Sequence, residues 1–524
     1  MQLTCDALLV LRIYTSTKFS MATLQRSLDT NFVESCRLSE EKAWERLTEL
    51  VGTQRISRDD VWTRQVVSRI CEWLGYLPLG LELVGRYLAE NPKLSLTQML
   101  KQLQAQQLED EAINSSALRT QPILNTAQRG VKAAFELIWR KLDPMTQRVG
   151  EFLSLFALDV IPWQLVETAS EQLSWSKADL NRAKQQLYKW QVIQSVEPGT
   201  NYYRIHPLIR EFLQAKLAIS EQGDKLKRAF IQAMVLIAQQ IPDSPTPQDI
   251  ELVKDVIPHL VEITQTLTDT VRDEEILWLF DRLGNFYKSQ GLYELAKPWF
   301  VKCLHAAKAR FGNDHPDVAT TLNNLAGLYY AQGCYSEGES LYLHALKLRR
   351  RFLGNNRPEV ATTLNNLALL YYAQERYQEA EPLYLEALKL RKRFQRSYSC
   401  DVAATLNNLA LLYYAQERYQ EAEPLYLEAL ELRKSILGNH HLDVATTLNN
   451  LASLYDAQGR YSEAEPLLIQ ALQVSEQVLG SHHSNTIIFR KNLETLQAKL
   501  EVNNYWFQKK VRENILSLMR RIRL

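Results

Sequence analysis

A mostly α-helical chain, with a small β-hairpin in its N-terminal half and an α-solenoid of paired helices after it, is the fold class the sequence predicts. Three observations predict it. Text repeats at a fixed period through the C-terminal half, apolar residues inside each repeat recur at helical spacing, and two short strand-like runs flank a Pro-Gly turn at Pro198-Gly199. The 524 residues, 46% of them apolar, exceed one ordinary domain and can bury about three or four cores.

Charge and cysteine usage narrow the class. Lys plus Arg total 61 against 60 for Asp plus Glu, a net charge of +1, so no whole-chain field concentrates nucleic acid or an anionic membrane. The six cysteines, Cys5, Cys36, Cys71, Cys303, Cys334 and Cys400, have no C-x-x-C spacing, which predicts free thiols in a reducing, cytoplasmic compartment. Arg12 interrupts the apolar run Ala7 to Tyr14, which is neither a signal peptide nor the roughly 20-residue stretch that spans a bilayer.

From the N-terminus, Ser39 to Val51 and Val61 to Leu74 carry helical patterns, and Gly75-Tyr76-Leu77-Pro78-Leu79-Gly80-Leu81 reads as a turn opening an apolar helix. Over residues 130–215 come helices, the run Val192 to Val196, a turn at Glu197 to Asn201, the run Tyr202 to Ile205 and a last helix from Pro207. That order describes a winged helix.

In the C-terminal half a Leu-Ala or Leu-Gly step recurs at Leu283, Leu325, Leu367, Leu409 and Leu451, each 42 residues from the next, which predicts five helix pairs. The text from Thr363 to Lys392 returns from Thr405 to Lys434 with one change, Lys389 becoming Glu431. Leu364, Leu367, Ala368 and Tyr371 share one helix face, as do Ala380, Tyr384, Ala387 and Leu388, and small residues at Ala326, Ala368, Ala410 and Ala452 let paired helices approach. A larger side chain there would overpack the joint by roughly 1–3 kcal/mol. One hairpin cannot cover both of its faces, so neighbours stack. Gly333 and Gly459 serve the turns where Glu375 and Glu417 stand in the central units, and Pro298, Pro382, Pro424 and Pro466 are expected near the start of the second helices, where a missing N–H costs little because the first few donors have no intrahelical partner.

The region from about 275 to 500 resembles the tetratricopeptide family, and LNNLA, EAEPLY and Leu437-Gly438-Asn439-His440 resemble its kinesin light chain subclass; the linker from Phe394 to Cys400 departs from that text. Gly-Tyr-Leu-Pro-Leu at 75–79 resembles the GLPL element of the NB-ARC branch of signal-transduction (STAND) ATPases, and Ile205-His206-Pro207 resembles its MHD element with proline in place of aspartate. The second resemblance implies that Pro78 lies against adenine and His206 reaches a phosphate, with ADP as the possible ligand. None of the 18 glycines is followed by lysine, so the phosphate-binding loop is missing, and Tyr14 to Lys18 only faintly matches the sensor strand. The expected organisation is a nucleotide-domain remnant at 1–35, a helical subdomain at 36–118, a winged helix at 120–215, a helical linker at 216–274, the solenoid at 275–500 and a basic amphipathic helix at 501–524. The chain reads as the part of a longer ancestor that follows its phosphate-binding portion.

In such solenoids the first helix of each pair lines the concave side. The positions beside the core face are then Asn323, Asn365, Asn407 and Asn449, an amide ladder for a peptide backbone, with Leu369, Leu411, Tyr330, Tyr372 and Tyr414 supplying apolar and aromatic contact. The predicted function is non-catalytic: binding a protein or peptide there, as scaffold or sensor. The bland alternative has these residues only capping and packing neighbouring helices.

Other readings stay open. His440-His441 and His482-His483 read as solvated linkers, so no metal is expected. Lys177, Arg182, Lys184 and Lys189 on one helix could make a DNA-binding transcriptional regulator, against which stand Asp179 and the near-neutral chain. The tail from Glu501 has six basic and two acidic residues, with Phe507, Val511, Ile515, Leu518 and Ile522 as an apolar stripe, and either caps the solenoid or touches lipid. No nucleophile–base pair, H-E-x-x-H or glycine-rich cofactor loop occurs, which leaves an enzyme with an unrecognised site as a third reading, and the oligomeric state open.

Overall fold

The computed structural model describes residues 37–522 except 57–59, 114–121, 243–244 and 395–399. The expected remnant at 1–35 and most of the 394–400 linker lie outside the described residues. The chain divides into two compact units, residues 1–234 and 235–524, and the division falls inside a helix at 223–240 rather than in a linker.

In the first unit, α1 (Glu40–Val51), α2 (Val61–Trp73), α3 (Pro78–Glu90), α4 (Leu96–Ile113) and α5 (Pro122–Trp139) precede α6 (Pro144–Leu153). Ser39 and Asp60 cap α1 and α2 by accepting from backbone N–H groups, and Asp143 does so for α6. A Cβ on Gly85 would stand 2.7 Å from Leu50, so glycine lets α3 lie close on α1. Next come β1 (Ile161–Pro162), α7 (Trp163–Ser170), α8 (Lys177–Lys189), β2 (Gln194–Ser195), β3 (Tyr202–Arg204), α9 (Pro207–Ile219) and α10 (Gly223–Gln240). The strands form one antiparallel sheet in the order β1-β3-β2, the first strand being an addition to the hairpin read from sequence. Phe135 and Phe212 meet edge to face at 4.6 Å between ring centres, joining α5 to α9, and Phe156 meets Phe230 at 4.8 Å, bringing α10 onto the same core.

The second unit continues with α11 (Pro247–Val253) and α12 (Ile257–Thr266), which packs on α13. The pairs are α13 (Asp273–Ser289) with α14 (Tyr293–Phe311), α15 (Pro316–Ala331) with α16 (Tyr335–Leu353), α17 (Pro358–Ala373) with α18 (Tyr377–Phe394), α19 (Cys400–Ala415) with α20 (Tyr419–Leu437), and α21 (Leu442–Ala457) with α22 (Tyr461–Leu479). They are the five expected. Ala326, Ala368, Ala410 and Ala452 are fully buried, and in the first pair the matching residue is Gly284, where a Cβ would stand 2.8 Å from the Phe300 ring. Glu375 and Glu417 adopt φ of 60° where Gly333 and Gly459 adopt 74° and 76°, so the turn holds its left-handed shape at a cost of roughly 1–2 kcal/mol.

Two expectations need correction. Pro298, Pro382, Pro424 and Pro466 each stand sixth in the second helix, past its first turn, so each removes a helical hydrogen bond instead of occupying a free position. The boundary placed at 500 does not exist either: α23 (Ser484–Ile522) is continuous, packs on α21 and α22, and takes the place of a sixth first helix. Where the first helix of the fifth pair buries Leu448 and Ala452, α23 carries Arg490 and the exposed Glu494, a face suited to water. Of the tail's apolar stripe only the Val511 side chain is described, and it is partly exposed.

Candidate functional site

First helices of successive pairs pack on one another, so α13, α15, α17, α19 and α21 line the inner face of the array. Asparagines stitch that face together. Asn366, Asn408, Asn450 and Asn492 donate from Nδ2 to Oδ1 of Asn323, Asn365, Asn407 and Asn449, at 3.4, 3.4, 3.3 and 2.9 Å. The four predicted ladder residues are thus the acceptors of an inter-repeat seam, and all four are buried. It is the following asparagine of each pair that stays half-buried.

A cleft of about 710 Å3 opens in front of the first three pairs, where Asn323, Asn324 and Asn366 reach it with Trp278, Asp281, Arg282, Lys288 and Thr320. Asp281 accepts from Asn324 at 2.6 Å and from Asn285 at 3.2 Å, and the Arg282 guanidinium lies 4.8 Å over the Trp278 ring. Arg349 enters from behind. It donates to the Glu359 carbonyl at 2.7 Å, Thr363 Oγ1 at 2.6 Å and Thr320 Oγ1 at 3.2 Å, so one buried cation ties three helices, and burial lowers its pKa to about 10. Arg391 and Arg433 repeat the arrangement on Thr405 and Thr447.

Beyond the cleft, Leu369, Leu411, Tyr330, Tyr372 and Tyr414 are half-buried. The three tyrosines lie next to Tyr335, Tyr377 and Tyr419, with ring centres 6.1, 5.9 and 5.9 Å apart, and burial raises the pKa of each of the three. Asp456 takes the tyrosine position in the fifth pair, where Lys499 of α23 binds it at 2.7 Å and closes the stripe. Beneath the stripe Tyr384 and Tyr426 are fully buried, and their hydroxyls have no hydrogen-bond partner among the described residues.

Sequence reading missed the outer turns. Arg376 donates to Glu339 of the preceding pair at 2.7 Å and to Glu379 at 2.7 Å, and stacks 4.0 Å over the Tyr371 ring; Arg418 and Arg460 do the same. The recurring Arg-Tyr of each turn was the available signal, yet its acidic partner lies 37 residues back.

The nominated residues of the first unit have local roles. Pro78 is the first residue of α3, and His206 caps α9 by accepting from Leu208 N at 3.2 Å through Nδ1. Burial lowers the His206 pKa to about 4, so the ring is neutral. On their own the two supply no cradle for a phosphate. On α8, Lys184 lies over the Trp163 ring at 5.2 Å and Lys189 pairs with Glu90 at 2.7 Å. His441 and His483 cap α21 and the start of α23, and no group of three or more His, Cys, Asp or Glu suited to a metal occurs among the described residues.

A family model described as tetratricopeptide repeat matches residues 275–333, 317–393 and 401–477. The helix pairs are tetratricopeptide repeats. No curated protein matches the chain. Among solved structures, the tetratricopeptide-bearing chain is similar to BtubC (BKLC) from P. vanneervenii, with 24% identity over 48% of this chain and 94% of that one and a TM-score of 0.34. It is similar to a signal-transduction ATPase with a tetratricopeptide repeat sensor from Pyrococcus horikoshii, at 14% identity, 91% and 74% coverage and a TM-score of 0.34. The quorum sensor NprR from B. thuringiensis matches at 18% identity, 64% and 80% coverage and a TM-score of 0.38. No helix among the described residues is long and apolar enough to cross a membrane.

Proposed function

We propose that the chain is a non-catalytic interaction protein whose tetratricopeptide array holds an extended peptide or protein segment along its inner face. One observation carries the reading: the open cleft of about 710 Å3 in front of the first three pairs, walled by first-helix side chains. Trp278 is 42% exposed there, an aromatic with free contact area beside amide and cationic donors. The half-buried Leu369, Leu411, Tyr330, Tyr372 and Tyr414 prolong that wall with apolar contact.

A random peptide library displayed on phage and selected on the full chain tests this. Selected peptides are expected to bind about tenfold more weakly to Trp278→Ala or Asn366→Ala, and to Tyr372→Ala with Tyr414→Ala. Peptides that bind all these variants like the unaltered chain would place the ligand elsewhere. ADP at Pro78 and His206 is a separate proposal that rests on the sequence resemblance, and nucleotide released on denaturing the purified chain is its test.

A further inference from the structure

The outer face of the array carries a ridge that repeats with the fold. Leu343, Leu385, Leu427 and Ile469 occupy the same place in four successive second helices and are 46%, 46%, 44% and 39% exposed. Single exposed leucines are ordinary, but four in register make a continuous apolar line. The charges beside that line are mostly satisfied within the chain: Arg350 pairs with Glu386 at 2.8 Å and Lys392 with Glu428 at 2.7 Å. Lys389 and Glu431, one helical turn beyond Leu385 and Leu427, are exposed and have no partner among the described residues. They are also the one difference between two units otherwise identical from Thr363 to Lys392 and from Thr405 to Lys434.

A charge reversal between adjacent copies of one motif is self-complementary under a two-fold axis. We infer that the array pairs with a second copy of this chain, outer face to outer face, about an axis between α18 and α20. Antiparallel ridges then set Leu385 against Leu427 of the second copy and Leu343 against its Ile469. Lys389 meets Glu431 of the second copy, and the symmetry makes that contact twice. Lys347 falls opposite Gln473 of the second copy, and Lys392, which Glu428 already neutralises, falls opposite Lys434 of the second copy. A stable pair buries about 800 Å2 per partner, which asks about 200 Å2 of each of the four helices.

Sedimentation velocity of the full chain over a dilution series is the test. The unaltered chain is expected to form a dimer that dissociates on dilution. Lys389→Glu and Glu431→Lys each turn two attractive contacts into repulsive ones and should raise the dimer Kd about tenfold, while the double exchange restores it to within about twofold. Leu385→Ser with Leu427→Ser should leave monomer. All these positions are exposed, and matching thermal melts confirm that each variant folds. A chain that is monomeric at every concentration, a Kd that neither single reversal moves, or a double exchange weaker than both singles overturns the inference.

Discussion

Replacing Tyr384 and Tyr426 by phenylalanine is expected to stabilise the array. Both side chains are fully buried, and neither hydroxyl has a partner among the described residues. Burial raises the pKa of each phenol, the direction expected of a group short of solvation. A buried hydroxyl without a hydrogen bond costs about 1–3 kcal/mol. Removing it leaves a void on the order of 15 Å3, which at about 24 cal/mol per Å3 offsets only about 0.4 kcal/mol. The net gain is then about 1–2 kcal/mol per site, or roughly 2–3 °C in Tm for a unit of this size, and about twice that for the double variant. Circular dichroism melts at fixed protein concentration measure the shift, and native-state hydrogen exchange localises it to α17–α20. Tyr342 is the control. Where its neighbours have Leu369 and Leu411 it has Gly327, whose Cβ would stand 3.4 Å from the Tyr342 hydroxyl, and Tyr342→Phe is expected to gain less. A lower Tm in Tyr384→Phe would refute the reasoning, since the hydroxyl would then be making a bond worth more than its burial costs.

Three further outcomes follow from the packing. Gly284→Ala should destabilise the first pair by about 1–2 kcal/mol despite alanine's better helix propensity, because the new Cβ falls 2.8 Å from the Phe300 ring; a melt showing a net gain would mean the ring has room to move. Arg391→Ala should cost about 2–4 kcal/mol by leaving a void and removing the bonds that Arg391 donates to the Asp401 carbonyl and to Thr405 Oγ1, whereas Arg391→Met should cost less than half as much, both read by the same melts. His206 has a folded pKa of about 4 against an ordinary 6.5, so the unfolded chain binds the proton first and stability drains as pH falls from 6.5 toward 4. At about 1.4 kcal/mol per pH unit the full loss is about 3 kcal/mol; His206→Asn keeps a capping side chain and should remove that part of the slope in urea titrations at successive pH values.

Helix pairing was legible because Leu364, Leu367, Ala368 and Tyr371 obey a spacing that one helix alone imposes. Which asparagine of each Asn-Asn faces the groove was not. Both border the core face, and the choice is made by a bond to a residue 43 positions away, as between Asn366 and Asn323. Arg349 was invisible for the same reason, since its partners Thr320 and Thr363 belong to two other helices. Pro382 misled because proline is so common in first turns; here stacking compensates for a lost internal bond. In the first unit the hairpin was legible from its turn, while β1, only two residues long, exists through pairing with β3 and has no signature of its own.

The arginine seam bears on how such an array can change length. Arg349 meets Thr363 as Arg391 meets Thr405, 14 positions ahead in both cases, so a deletion of one whole 42-residue module would bring Arg349 to Thr405 in the same relation. The shortened protein would contain no novel junction. Gain or loss of whole modules would therefore alter the reach of the array while every remaining joint kept its chemistry.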